Sequence, residues 1–302
     1  MGETNTKILV LGASGMLGSA VFKLFACSDN YQVIGTIRSS KSISLFPKDI
    51  RGCLVSGIDI DNDEGLLRLF EEVQPNVVIN CIGIVKQLTN ANDPLVALPI
   101  NSLFPHRLAN ICKTSGSRLI HISTDCVFTG RKGMYTEEDV TDSLDLYGVS
   151  KRLGEVDYPN TITLRTSIIG HELSGNRSLI DWFLSQQGSV RGFTQAIFSG
   201  LPTVVIAQLI RDYVIPKPDL TGVYHVSSDP INKFDLLSLV SKIYGKEIQV
   251  LKDSSLKIDR SLDSSKFKAA TGFCPATWTE LVQSMHDSKY DVKKGIEKNV
   301  QR

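Results

Sequence analysis

The sequence has no excess of charge of either sign. Its 302 residues include 33 Lys and Arg against 32 Asp and Glu, which gives a formal net charge of +1. Proteins that bind nucleic acids neutralise backbone phosphates with clustered Lys and Arg. The sequence shows neither an overall surplus of these residues nor a basic patch with interleaved aromatic residues. We therefore expect no nucleic-acid partner.

Long hydrophobic runs are also missing. The longest, around Val77–Val85, is interrupted by Asn80 and has about half the length of a membrane-spanning helix. The first apolar run, Ile8–Leu11, is too short for a secretory signal, and no basic cluster precedes it. We expect the protein to have no membrane partner.

Cysteine pairs and metal-ligand spacings are absent from the sequence as well. None of the cysteines forms a CxxC pair or the spacing of a zinc site, so we expect no metal site. Most lie in apolar stretches, which is typical of reduced thiols in a core and predicts a cytoplasmic location. The cysteines are Cys27, Cys53, Cys81, Cys112, Cys126 and Cys274.

What the sequence does contain is a regular alternation of apolar strands and amphipathic helices. Lys7–Leu11 predicts a strand and Gly15–Phe25 a helix, and the alternation continues along the chain. Strands that are apolar on both faces indicate an α/β fold with a doubly wound parallel sheet covered by helices. Further strands are predicted at Tyr31–Ile37, Asn76–Asn80, Arg118–Ser123, Thr161–Arg165 and Gly222–Val226, and further helices at Glu64–Val73, within Pro94–Ser115, and at Leu146–Val156, Asn232–Tyr244 and Trp278–His286.

A glycine-rich turn, GASGMLG, follows the first predicted strand and opens the first predicted helix. Glycine lets the backbone turn tightly and approach a pyrophosphate, while the helix start presents free amides and a positive dipole end. Strand, turn and helix in this order predict a Rossmann-type dinucleotide site. The residues expected to bind the cofactor there are Gly12, Ser14, Gly15, Met16, Leu17 and Gly18.

The second predicted strand ends without the acidic residue that usually holds the ribose 2′-hydroxyl of NAD. Arg38 stands there instead and could pair with a 2′-phosphate, with Ser39 donating a further hydrogen bond. Arg38 could also be an ordinary solvated residue. The pattern favours NADP as the cofactor and leaves NAD open.

A tyrosine and a lysine, Tyr147 and Lys151, lie four residues apart on a predicted helix and therefore on one face of it. An ammonium beside a phenol makes its proton easier to move, so the pair could act in acid–base catalysis or could be two exposed residues. Thr124 ends a predicted strand, where its hydroxyl could hydrogen-bond a reacting carbonyl oxygen or cap a turn. Asn80–Gly83 ends the preceding strand, where its backbone can face a cofactor.

Taken in order, these motifs resemble the extended short-chain dehydrogenase/reductase superfamily. The stretches STDCVFTG and YGVSKRLGE are similar to the dTDP-4-dehydrorhamnose reductase family. The likeness is strong from Lys7 to about Ser167 and looser beyond it. It implies a Rossmann domain over residues 1–166, completed by about 203–227, and a smaller C-terminal α/β substrate-binding region over 167–202 and 228–302.

The resemblance also implies roles for individual residues. Tyr147 would be the general acid, Lys151 would hold the nicotinamide ribose and lower the pKa of the phenol, and Thr124 would orient the carbonyl. Asp59 and Ile60 would lie at the adenine, although Asp59 could equally be a solvated acid. The turn after the strand that ends at Asn80 would face the cofactor through Cys81, Ile82 and Gly83.

Substrate-binding candidates are less distinctive. Lys86 and Gln87 could face the substrate or the solvent, and Asp125 follows the expected catalytic threonine. Dehydratase relatives carry Asp-Glu at that point, whereas this chain has Asp125-Cys126, which disfavours dehydration. Cations for a diphosphate and an aromatic slot for a base are expected from Arg177, Arg191, Arg260, Trp182 and Phe193, each of which could instead be an ordinary surface or core residue.

The function that the resemblance implies is NAD(P)H-dependent reduction of a nucleotide-linked 4-keto-6-deoxy sugar, in the synthesis of surface polysaccharide precursors. Two alternatives stay open: a sugar-nucleotide epimerase with tightly bound NAD, and a non-catalytic regulatory subunit that binds the cofactor. A homodimer is compatible with each of them. The segment Phe193–Thr203 is predicted to be a loop that walls the substrate cleft.

Overall fold

The computed structural model of the chain describes residues 5–84 and 92–290. Its strands are β1 Thr6–Leu11, β2 Tyr31–Ile37, β3 Leu54–Ser56, β4 Val77–Asn80, β5 Arg118–Thr124, β6 Thr161–Thr166, β7 Ile168–Ile169, β8 Ser189–Phe198, β9 Leu201–Pro202, β10 Gly222–His225, β11 Ile231–Asn232 and β12 Gln249–Asp259. Its helices are α1 Met16–Ala26, α2 Asp63–Val73, α3 Pro94–Leu98, α4 Phe104–Ser115, α5 Leu146–Leu153, α6 Leu179–Ser185, α7 Thr203–Leu209, α8 Lys233–Ile243, α9 Ser265–Thr271 and α10 Trp278–Tyr290.

A seven-stranded sheet with the order β10-β6-β5-β4-β1-β2-β3 forms the centre of the molecule, and all of its ladders are parallel. The direction of winding reverses between β1 and β4, and ligands of such sheets bind in the crevice outside the strand ends at that point. The predicted doubly wound Rossmann-type sheet is confirmed. Every strand expected in residues 1–166 forms, most within a residue or two of its predicted bounds.

Helices cover both faces of the sheet because its strands are apolar on both sides. On one face, Phe22 and Phe25 of α1 pack with Ile206 of α7. On the other face, Phe70 of α2 packs with Phe104 of α4. The two layers hold the carboxyl ends of β1, β4 and β5 at one edge, which is where the glycine turn and the threonine of the predicted site lie.

The helix predicted within Pro94–Ser115 forms, although two prolines interrupt its sequence. A π-helical segment, Pro99–Leu103, joins α3 to α4. Proline lacks an amide hydrogen, and a widened turn accommodates the missing hydrogen bond. Asn101 of this segment is buried and points back toward the strand ends, where its Oδ1 accepts a hydrogen bond from Ile84 N at 2.9 Å.

The C-terminal region builds a second, three-stranded sheet in which β8 lies between β11 and β12. Its core contains Phe183, Leu236 and Met285. The prediction of a loop over Phe193–Thr203 is wrong, because Ser189–Phe198 is a strand. Its partners come from more than thirty residues further along the chain, as the β8–β12 register shows, and local sequence does not reveal such pairing.

Two classes of feature are missing from the part of the chain that the structure describes. No helix there combines the length and apolar character that crossing a bilayer requires. Within residues 5–84 and 92–290, no three His, Cys, Asp or Glu side chains converge to hold a metal ion.

Candidate active site

The glycine turn is built so tightly that side chains are excluded from it. Gly12 has a φ of +81°, which favours glycine, and its carbonyl oxygen would lie 2.1 Å from a Cβ placed on Gly18. Gly15 N donates to Gly12 O at 3.0 Å, and Gly12 N donates to Thr36 Oγ1 at 3.2 Å. These contacts fix the turn directly against the start of α1.

The N-terminus of α1 is left open to an anion. Its capping residue is Gly15, which has no side chain to occupy the first amides, and no acidic residue stands in the first turn. Gly15, Met16 and Leu17 line a cleft of about 610 Å³ at the carboxyl ends of the strands. Free amides at a positive helix end are a suitable site for a pyrophosphate.

Helix α5 brings the predicted catalytic pair into the same cleft. Asp145 caps the helix by accepting a hydrogen bond from Gly148 N at 2.8 Å. The helix packs closely on the turn after β5, because a Cβ on Gly148 would lie 2.2 Å from Cys126 O. Tyr147 and Lys151 therefore share the cleft with Thr124.

The phenol of Tyr147 is protonated at neutral pH. Burial raises its pKa above the ordinary value of a tyrosine, and the charges of the neighbouring Cys126 and Asp125 raise it further. A hydrogen bond with the Thr124 side chain lowers the pKa, but by less. The resemblance implies that Lys151 lowers this pKa; the net shift runs the other way, because burial disfavours the charged phenolate. A phenol that keeps its proton is suited to donate it.

Lys151 is buried and hydrogen-bonded to the backbone. Its Nζ donates to Ile122 O at 2.8 Å. Burial lowers the pKa of the ammonium to about 8, while the carboxylate of Glu155 acts in the opposite direction. Lys151 is therefore mostly charged at neutral pH, with its remaining donors close to the cleft.

Glu155 belongs to a buried ion pair behind the site. Its Oε1 accepts hydrogen bonds from Ser123 Oγ at 2.7 Å and from Arg165 Nε at 2.8 Å, and its Oε2 accepts from Arg165 Nη2 at 2.8 Å. Arg165 Nη1 lies 3.2 Å from His225 Nε2. The network ties the end of α5 to β5, β6 and β10, and thus fixes Lys151 relative to Thr124.

The turn after β4 also faces the cleft, as the sequence predicts, through Cys81, Ile82 and Gly83. Asn80 shapes this turn, because its Oδ1 accepts a hydrogen bond from Ile82 N at 3.1 Å. Burial raises the pKa of the Cys81 thiol to about 12, so the thiol stays neutral. Asn101 supports the turn from behind, and sequence reasoning missed it because its role depends on the π-helical segment.

The residues expected to bind the adenosine end lie beyond the cleft lining. Arg38 and Ser39 are exposed directly after β2, at the carboxyl edge of the sheet. Ser14, predicted to bind the cofactor at the glycine turn, is exposed there and does not line the cleft. Asp59 is exposed after β3, and its Oδ1 accepts a hydrogen bond from Asp61 N at 3.0 Å. Ile60, in contrast, is buried in the core.

A second cavity of about 400 Å³ adjoins the cleft on the side of the C-terminal sheet. Asp125 and Arg260 line both cavities, and Trp182 lines the outer one. Burial raises the pKa of Asp125, and Arg260 acts against this. Phe193, on β8, also lines the outer cavity, so this part of the chain does wall the cleft, although as a strand.

The expected phosphate-binding cations differ in how well they are placed. Arg191 lines the outer cavity, but its side chain is 79% exposed and lies 3.6 Å from Asp253. Arg177 lines the main cleft and is exposed. Lys233 lines both cavities, and sequence reasoning missed it because its only local signal is a lysine at the start of a helix. The candidates Lys86 and Gln87 lie outside the described residues.

Thr124, the predicted catalytic threonine, is already engaged by its neighbours. Thr124 Oγ1 donates to Asp125 Oδ1 and accepts from Cys126 N, both at 3.1 Å. Its hydroxyl can donate to a substrate oxygen after rotating away from the carboxylate. The sequence-predicted residues Thr124, Tyr147 and Lys151 thus meet in one cleft beside the open end of α1.

Comparison with known proteins points in the same direction. A family model described as the RmlD substrate binding domain matches residues 6–290. The solved structure of a dTDP-4-dehydrorhamnose reductase from Bacillus anthracis str. Ames, described as a complex with NADP, aligns with a TM-score of 0.76 at 19% identity. That alignment covers 94% of this chain and 100% of the other, and at such identity it supports the fold alone.

Curated relatives carry two kinds of name. The dTDP-4-dehydrorhamnose reductase of Aggregatibacter actinomycetemcomitans is 24% identical over 306 residues, covering 92% of this chain and 98% of that protein. The methionine adenosyltransferase 2 subunit beta of Danio rerio is 34% identical over 257 residues, covering 79% of this chain and 74% of that protein. For several further relatives, the match with this chain covers only 41% to 52% of the relative's own length.

Proposed function

The chain belongs to the RmlD substrate binding domain family, and on that premise we propose that it reduces a nucleotide-linked 4-keto-6-deoxy sugar with NAD(P)H. One observation carries the proposal. Tyr147, Thr124 and Lys151 line the same cleft as the uncapped start of α1, so a proton donor and an anion site lie side by side. A relative matched over nearly its whole length is named as a dTDP-4-dehydrorhamnose reductase.

The residues present fit a nicotinamide dinucleotide. The open amides of α1 would bind its pyrophosphate, and Lys151 would donate to its ribose hydroxyls. When bound, the cofactor supplies the hydride. Thr124 would hold the substrate oxygen, and Tyr147 would donate the proton that this oxygen needs as charge develops on it.

We also propose a division of labour along the chain. Residues 1–166, completed by 203–227, would bind the cofactor, which is supported by the pairing of β10 with β6 in the main sheet. Residues 167–202 and 228–302 would bind the sugar nucleotide, since Trp182 and Arg260 of that part line the outer cavity. Asp59 and Ile60 would lie at the adenine, at the carboxyl end of β3.

The choice between NADPH and NADH is expected to depend on Arg38. A guanidinium paired with the 2′-phosphate is worth roughly 1.5–3 kcal/mol, so Arg38→Ala should lower affinity for NADPH by about 10- to 100-fold and leave NADH affinity unchanged. Titration of the purified wild type and variant with each cofactor measures the two affinities. Lys41→Ala, which removes a nearby exposed cation, serves as the control. Equal losses for both cofactors, or no loss for NADPH, would contradict the assignment of Arg38 to the 2′-phosphate.

The proposed reaction is tested by incubating the purified protein with NADPH and a series of nucleotide-linked keto sugars. We expect NADPH to be consumed in proportion to the sugar alcohol formed. An epimerase would instead retain NAD through purification and interconvert sugars without net consumption. A regulatory subunit, as the name of the zebrafish relative indicates for that protein, would bind the cofactor and an enzyme partner without turnover.

Location, pathway and assembly are further proposals. A cytoplasmic location is supported by the absence of disulfides among the cysteines of the described residues. A role in supplying precursors of surface polysaccharides rests on the family likeness. A homodimer stays a prediction, which light scattering of the purified chain would test.

A further inference from the structure

Lys233 lies at the boundary between the two cavities and lines both. It is the first residue of α8, directly after the capping residue Asn232. Its ammonium rests on the ring of Phe198, with Nζ 3.9 Å from the ring centroid. Asp125 and Arg260 lie across the same boundary. The negative charge of Asp125 raises the pKa of Lys233.

Three properties make this position unfavourable for a lysine that binds nothing. A positive charge in the first turn of a helix opposes the helix dipole. Partial loss of hydration lowers the pKa of its ammonium to about 8. No hydrogen bond joins Nζ to an oxygen of the described residues, and its close partner is the face of Phe198. Lys233 is half-buried and lines both cavities, so its ammonium is available to an oxygen of a ligand bound there.

The charge at the boundary identifies the kind of ligand. Two cations, Lys233 and Arg260, face one carboxylate, Asp125. Arg260 keeps its position through a hydrogen bond from Nε to Phe128 O at 2.9 Å. The surplus of positive charge favours an anionic group over a neutral sugar hydroxyl.

The shape of the proposed substrate places such a group there. In a nucleotide-linked 4-keto pyranose, the keto carbon and the carbon that carries the diphosphate lie on opposite sides of the ring. A carbonyl held by Thr124 and Tyr147 therefore directs the diphosphate away from them. Thr124 is followed directly by Asp125 and Cys126, which line both cavities and lead to the boundary.

Building on the proposed function, we propose that Lys233 binds the diphosphate of the substrate where the two cavities meet. The nucleoside then occupies the outer cavity beside Trp182 and Phe193. Lys233 is thereby a substrate-binding residue that acts together with Arg260. The exposed Arg191, paired with Asp253, is not required for this contact.

Calorimetric titration of the full chain with thymidine diphosphate, uridine diphosphate and the two nucleosides tests the proposal. Lys233→Met keeps most of the length of the side chain and removes its charge. We expect it to weaken binding of the preferred diphosphate by about 10- to 100-fold and to leave the nucleoside affinity unchanged, as for the loss of a charged hydrogen bond. Lys233→Arg should restore most of the affinity. Lys252→Met, which removes a lysine stacked on Phe234 outside both cavities, should change neither.

A pH series adds a readout that a packing role would not affect. Diphosphate affinity of the wild type should fall as the pH rises through about 8, because Lys233 then loses its proton. Asp125 and Cys126 face Lys233, and burial raises the pKa of both groups, that of Cys126 to about 12. Lys151 lines the main cleft and also has a pKa of about 8, so Lys233→Arg decides which lysine is responsible. Lys233→Arg should remove the fall, since a guanidinium stays charged throughout, and a fall that persists in this variant would belong to Lys151 and contradict the proposal.

Several other results would overturn either this proposal or the proposed function. Equal weakening of diphosphate and nucleoside by Lys233→Met would mean that the lysine only supports packing. Unchanged affinity for both, or no binding of either diphosphate by the wild type, would mean that it touches no phosphate. Lys233-dependent diphosphate binding without reduction of any keto sugar would sustain this inference and reject the reductase function. Reduction of a keto sugar by Lys233→Met with an unchanged KM would sustain the reductase function and reject the role of Lys233 in binding the diphosphate.

Discussion

Tyr147→Phe is expected to lower kcat by about 10²- to 10⁴-fold, the range that a positioned general acid contributes. The wild-type phenol keeps its proton at neutral pH because burial raises its pKa, and phenylalanine has no proton to give. The ring remains, so the shape of the cleft and the affinity for the cofactor should change little. Steady-state kinetics and cofactor titration on the same preparation measure the two effects separately.

Tyr158→Phe is the matched control for this substitution. Tyr158 lies shortly after α5, is exposed, and hydrogen-bonds to His106 Nδ1 at 2.8 Å, away from the cleft. The Tyr158→Phe substitution should lower kcat by less than about twofold. A loss of less than tenfold in Tyr147→Phe, or a parallel loss of cofactor affinity, would contradict the role of Tyr147 as proton donor.

Glu155→Gln is expected to lower the free energy of unfolding by about 3–5 kcal/mol, because it leaves the buried guanidinium of Arg165 without its counter-charge. Both partners of this ion pair are 8% exposed, and three hydrogen bonds join the carboxylate to Arg165 and Ser123. Denaturant unfolding at neutral pH measures the change. Glu64→Gln, which removes an exposed pair with Arg68, should cost less than about 1 kcal/mol.

The same substitution should also alter the pH dependence of the reaction. Glu155 raises the pKa of Lys151 against the effect of burial, so its loss lowers that pKa further below about 8. The charged form of Lys151 is then lost at a lower pH, and the alkaline fall of kcat/KM should move in the acid direction. A stable Glu155→Gln protein with an unshifted pH profile would show that Glu155 has no influence on Lys151.

The Rossmann half of the molecule could be predicted because its signals are local. Apolar strands, capped helices and the glycine turn each follow from adjacent residues, and β2 forms over Tyr31–Ile37 as the sequence predicts. The turn is specified by contacts within seven residues, since Gly18 must be small enough to lie against Gly12 O. Thr124, Tyr147 and Lys151 meet because parallel strands end at one edge of the sheet.

The C-terminal half was harder to predict because its structure depends on distant partners. Strand β12 is polar and largely exposed, and it forms by pairing with β8 about sixty residues earlier. Lys233 looks like an ordinary lysine until α8 places it against Phe198. The raised pKa of Tyr147 cannot be read from the sequence for a similar reason, since the spacing to Lys151 is visible there whereas the burial of the phenol is not.

We propose that the cleft between the glycine turn and α5 reduces a sugar ketone, and the hydride transfer itself can be observed. The experiment is a single-turnover reaction with NADPH that carries deuterium at C4 of the nicotinamide, followed by NMR of the product. We expect deuterium on the former keto carbon, transferred from one face of the nicotinamide, and a rate of transfer that falls in Tyr147→Phe. Tight binding of NADPH and keto sugar together without any transfer of deuterium would contradict it.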